Sequence, residues 1–139
     1  MSHYTACYYN CEKSVKPYSF YVLCKGKNSG RPMAAPCPNC FVVTCSNETK
    51  KDFYFTLCFA LWKSKSFHIY LTGSVIEFIR ISDFKKLLQE HGHRLQNSNG
   101  QFFKTVNQVK AIEQKEVLMK QQLQLLGDLK VAMLRQFLK

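Results

Sequence analysis

Seven cysteines and twenty basic side chains are the residues of this 139-residue chain with the most chemistry to offer. Cys37-Pro-Asn-Cys40 has the two-residue spacing of a zinc knuckle, and three residues separate Cys7 from Cys11. Together these four could supply the thiolates of a tetrahedral zinc site. A zinc ribbon, however, carries two matched C-x-x-C pairs, and here there is one. Cys40 also leads straight into the run Phe41-Val42-Val43-Thr44-Cys45, where it, like Cys58, suits a small core position. The expectation is therefore no metal and no cofactor, with Cys7, Cys11, Cys37 and Cys40 as the alternative zinc set. A redox C-x-x-C opens a helix, and Pro38 followed by a strand argues against that use.

Other catalytic chemistry is hard to assemble. His3, His68, His91 and His93 are scattered, and nine acidic residues do not cluster. H-E-x-x-H, G-x-S-x-G, a phosphate-loop lysine and a glycine-rich dinucleotide fingerprint are all missing. With so few acidic residues and no cluster of them, a two-metal nuclease site is hard to build. The expectation is a protein that is not an enzyme.

The basic residues are more informative. Twenty Lys and Arg against nine Asp and Glu leave a formal charge of +11, which favours a polyanionic partner. Residues 1–51 hold seven basic and two acidic side chains, residues 52–101 six and four, and residues 102–139 seven and three. The ends are basic and the middle is nearly balanced, as expected if the middle packs and the ends make contacts. Lys25-Gly-Lys-Asn-Ser-Gly-Arg31 is the sharpest such stretch. Backbone amides at Gly26 and Gly30, with Lys25, Lys27, Asn28, Ser29 and Arg31, suit phosphate and base-edge contacts. The plainer reading of the same residues is a solvated hairpin tip. Trp62, Phe67 and Tyr70 suit base stacking, although aromatics at helical spacing more often fill a core.

Eleven Phe and seven Tyr supply enough apolar surface for a packed domain. The longest apolar block, Phe53 to Trp62, is too short to span a bilayer. The opening MSHYTACYYNCEK lacks the apolar core of a secretory signal. A cytoplasmic protein with reduced thiols and no membrane partner is expected.

The pattern predicts strands over 18–24 and 41–45, and a helix over about 49–62 started by Ser46, Asn47 or Thr49. It predicts a short helix ending at Gly73, a strand over 75–81, and a helix from Phe84 stopped by Gly92. Residues 92–104 read as a polar connector. Residues 105–139 read as a long amphipathic helix, with Ile112, Met119, Leu126 and Met133 every seventh residue and Leu123 and Phe137 in the intermediate row. Leu118, Leu125 and Leu129 form a second stripe, wider than a lone dimer seam needs. The fold class expected is α+β: a small twisted sheet with short packed helices over residues 1–91, followed by the long helix.

With these elements placed, the chain resembles a target-recognition domain of type I restriction–modification specificity subunits, as a single, shortened unit. The resemblance rests on FYVLCKGKNSGRP at 20–32, NCFVVTC at 39–45 and FALWKSKSFHIYLTGSVIEFIRISDFKKL at 59–87. It implies a DNA-binding recognition or adaptor module without catalysis. Lys63, Lys65, His68 and Arg80 would contact phosphates of duplex DNA, with Ser74 nearby and the Lys25–Arg31 loop on the same rim. Asn28 and Arg31 would reach base edges. The long helix, through Ile112, Met119, Leu123, Leu126, Met133 and Phe137, would pair with a second copy or a methyltransferase-like partner. The competing class is a protein–protein interaction module whose helix docks a partner and whose charge is incidental.

Overall fold

The structure is a computed structural model that describes residues 4–98 and 100–139. Met1–His3 and Asn99 lie outside the described residues, His3 among them. The chain divides into two compact units, Met1–Asn99 and Gly100–Lys139.

In the first unit four strands form one antiparallel sheet in the order β1-β4-β2-β3. They are β1 (Tyr4–Tyr8), β2 (Ser19–Leu23), β3 (Pro32–Met33) and β4 (Cys40–Cys45). β2 and β4 are the two expected strands, and they sit side by side in the middle with Val22 opposite Phe41 and Phe20 opposite Val43. β1 was not anticipated. It pairs along its own full length with β4, placing Ala6 opposite Val43 and Tyr8 opposite Phe41. Side chains alternate across a strand, so Ala6, Phe20, Val22, Phe41, Val43 and Cys45 share one face, and all six are buried.

Two helices cover that face. α1 (Glu48–Lys63) is started by Asn47, whose Oδ1 accepts the Lys50 amide at 2.8 Å. Its buried residues include Phe53, Leu57 and Leu61, four apart along one side, and Phe55 meets Phe20 edge-on at 5.4 Å. α2 (Ile81–Leu95) buries Phe84, Leu87, Leu88 and Gly92, the spacing of a single helix stripe. Phe84 joins the sheet to the chain following α1, with ring centroids 5.2 Å from Phe41 and 5.9 Å from Phe67.

Three expectations need correcting. Residues 75–81 do not form a strand: Thr72 and Phe78 exchange both backbone hydrogen bonds across a tight turn, and α2 begins at Ile81. The short helix before Gly73 shrinks to a single 3-10 turn, His68–Tyr70. Gly92 does not stop α2, because it lies where α2 crosses α1. A Cβ there would touch Tyr54 Cε1 at 3.4 Å, so glycine fits the close approach without ending the helix. His91 and His93 are consequently helical rather than in a connector, because α2 runs on to Leu95.

The second unit is α3 (Gln101–Arg135), 35 residues and about 50 Å long at ~1.5 Å per residue. It starts earlier than expected, after Gly100 at φ +80°, and ends earlier, at Arg135, so Phe137 lies in the turn beyond the helix. The architecture is thus α+β, a four-stranded antiparallel sheet with packed helices and a long C-terminal helix. No helix among the described residues is long and apolar enough to cross a membrane.

Candidate nucleic-acid interface

The basic loop is built from the β2–β3 hairpin. Gly26 and Gly30 both take positive φ, +91° and +100°, which lets the chain reverse between Leu23 and Arg31. Leu23 donates its amide to Arg31 and accepts from Gly30, at 3.0 and 2.7 Å, closing the loop at its neck.

Two contacts fix where the loop goes. The Gly26 amide donates to the Glu77 carbonyl at 2.6 Å, and the Ile79 amide donates to the Cys24 carbonyl at 3.1 Å. Lys25 and Phe78 thereby form an isolated antiparallel bridge. On the other side Gly30 lies against the ring of Phe67, so close that a Cβ would fall inside the ring's atoms. The 25–31 loop, the end of α1 and the 72–79 turn therefore converge.

The cations follow this backbone. The Arg31 guanidinium lies 5.7 Å and the Lys63 ammonium 5.3 Å from the Trp62 ring centroid. One residue comes from the loop and the other from the helix end. Lys65 follows at the αL position that closes α1: its amide donates to Trp62 and the Ser66 amide to Leu61. This is a Schellman ending with a lysine at φ +61° where glycine is the usual occupant. Lys25, Lys27, Asn28, Arg31, Lys63, Lys65, His68, Ser74 and Arg80 are all exposed.

Other expected contacts do not survive. Ser29 is buried at 1% exposure, and its hydroxyl donates to the Gly26 carbonyl at 2.6 Å, so it shapes the loop from within. The Gly26 and Gly30 amides are also used internally and cannot cradle a phosphate. Phe67 is fully buried, so it is a core ring and not a stacking platform. Sequence reasoning missed the shallow recess of about 390 Å³ beside the loop, lined by Tyr8, Cys24, Lys25, Ile76, Phe78 and Ile79. The alternation of Val75 to Ile81 suggested a strand with half its side chains covered. The turn instead leaves Val75 and Ile76 exposed.

The alternative zinc set is not assembled. Cys11 and Cys37 line one shallow recess together with Tyr9 and Asn10. Cys40 is buried, and its thiol donates to the Cys37 carbonyl at 3.1 Å. Cys7 is exposed on β1, on the face opposite Ala6. Among the described residues no group of three or more His, Cys, Asp or Glu side chains is placed to hold a metal ion. Burial pushes the Cys40 and Cys45 thiols up to about 11, and that of Cys58 well above its ordinary value. These are inert core thiols.

Residues 6–136 match a family of unknown function, DUF6943. The chain belongs to that family. No curated protein and no solved structure matches it. In this DUF6943 chain the basic loop, the end of α1 and the 72–79 turn lie wholly within the matched residues.

Proposed function

We propose that the first unit is a non-catalytic DNA-binding recognition or adaptor module, of the kind its sequence resembles. The observation that carries this reading is that Arg31 and Lys63 both lie against the indole of Trp62. It draws cations from two separate elements to one place on a chain of net charge +11. Lys65 adds to it. A non-glycine residue at αL costs about 1–2 kcal/mol, and such strain commonly marks a site where the side chain is needed. Lys25, Lys27, Lys63, Lys65 and Arg80 would pair with phosphates and provide affinity. Asn28 and Arg31 would meet base edges.

Trp62 is the chain's one tryptophan, which makes the test direct. Titration with a duplex oligonucleotide should change Trp62 emission as the DNA draws Arg31 and Lys63 off the ring. Replacing Lys25, Lys27 and Arg31 together with Ala should weaken binding about 10- to 100-fold and lower the salt slope by about 2, one for each phosphate-pairing lysine. Unchanged affinity would remove the loop from the site.

The second reading, a protein–protein interaction module, is favoured by one observation: from Ile112 onward the large apolar side chains of α3 are exposed. A methyltransferase-like partner or another chain would then cover the helix, and the first unit would carry its charge for solubility.

A further inference from the structure

The exposed stretch of α3 has an internal order that bears on what covers it. Ile112, Met119, Leu126 and Met133 form one heptad row, and Glu116, Leu123, Lys130 and Phe137 the adjoining row. Each of the six apolar residues is at least 57% exposed. A contiguous apolar strip of this length is rarely left open to water. Two features restrict the occupant. The row positions run from Ile112 to Phe137, and the midpoint of that run falls between Leu123 and Leu126. The seam is also broken twice, by Glu116 and by Lys130, which are opposite in sign.

We propose that this strip is covered by the same strip of a second copy of the chain, with the two helices antiparallel. Setting Ile112 against Phe137 of the second copy puts Leu123 against Leu126 of the second copy at the centre. Residues 114–135, helical in both copies, then overlap along about 33 Å, with Phe137 reaching Ile112 from the turn that follows α3. Both charged positions lie in the same row. In an antiparallel pair residues of one row line the same side of the seam, so Glu116 comes within one layer of Lys130 of the second copy. The two-fold axis repeats the contact. The charges can meet at the edge of the seam while their stems cover apolar neighbours.

The parallel alternative is disfavoured by the same residues. In register it opposes Glu116 to Glu116 and Lys130 to Lys130 within seam layers. It also brings Lys115 on one flank towards Lys120 of the other copy. A like-charge layer inside a seam is an established way of excluding a pairing. The proposal is independent of the nucleic-acid reading, because it uses only the second unit.

The test is the mass and dissociation constant of the full chain, from sedimentation or light scattering. The expected species in the tens of micromolar range has twice the 16.2 kDa chain mass. Glu116→Lys turns both inter-copy contacts into Lys–Lys pairs, and Lys130→Glu turns them into Glu–Glu pairs. Each single variant should weaken the dimer at least about 10-fold. The double variant Glu116→Lys/Lys130→Glu restores opposite charges and should return to the wild-type dissociation constant, which separates loss of pairing from loss of folding. A wild-type chain that stays monomeric up to about 100 µM, single variants that associate like wild type, or a double variant no tighter than the singles would each overturn the proposal.

Discussion

Lys65 stands at a backbone position that glycine fills with little strain. Lys65→Gly should leave the fold unchanged or stabilise it by up to about 1 kcal/mol, because relief of the αL penalty is partly offset by glycine's greater chain entropy. The same change should weaken DNA binding, so stability and affinity should move apart. A urea midpoint and a binding titration on one variant check both. Gly30 has the opposite character. Gly30→Ala keeps φ +100° and drives a methyl group into the Phe67 ring, and should cost about 2–5 kcal/mol. Loss of more than 2 kcal/mol in the urea midpoint, together with weakened DNA binding, is expected from the loop's displacement.

The buried thiols and phenol set an alkaline limit. Cys40 and Cys45 are raised by burial to about 11 and Tyr4, also mainly by burial, to about 12. Each therefore binds its proton more tightly folded than unfolded. Their stabilising contribution is complete below the unfolded values, near 9 for Cys and 10 for Tyr, and is lost as pH rises through the folded ones. The melting temperature should begin to fall near pH 9 and fall further between pH 10 and 12. Cys45→Ala should flatten the first part of that curve.

The element scale shows what a sequence can and cannot disclose. α1 was legible because Asn47, an acidic first turn and the Phe53, Leu57, Leu61 spacing all act within one helix. β2 and β4 were legible because aromatic and β-branched residues dominate them. β1 was not, because Tyr4-Thr-Ala-Cys-Tyr8 has weak strand character by itself and is held by its pairing with β4. The Val75–Ile81 alternation misled for the same reason in reverse: Phe78 finds its partners in Thr72 and Lys25, which local pattern does not contain. Gly92 looked like a terminator, yet it is a contact residue between α1 and α2. The prediction that follows is specific. Gly92→Ala should be neutral or stabilising by up to about 1 kcal/mol, since a methyl group meets Tyr54 at ordinary contact distance and helix propensity improves. Gly92→Leu should destabilise by about 1–3 kcal/mol by forcing the two helices apart. Thermal melts of the pair separate a contact role from a terminating one, under which neither change would be tolerated.

At the scale of the whole molecule the charge excess was readable from composition, but its gathering was not. It depends on Gly30 against Phe67, Gly26 against Glu77 and Arg31 on Trp62, contacts between residues far apart in the chain. Those contacts place the loop and the helix end on one rim, with Ser29 and both glycine amides consumed in holding it there. What remains exposed is side-chain charge, so binding should be dominated by phosphate pairing and should respond strongly to salt. The most direct measurement is the affinity for a short duplex between about 50 and 200 mM monovalent salt. Four to five phosphate contacts give an expected log–log slope of about −4. A slope near zero, or no measurable binding at the low-salt end, would contradict the phosphate-contact account.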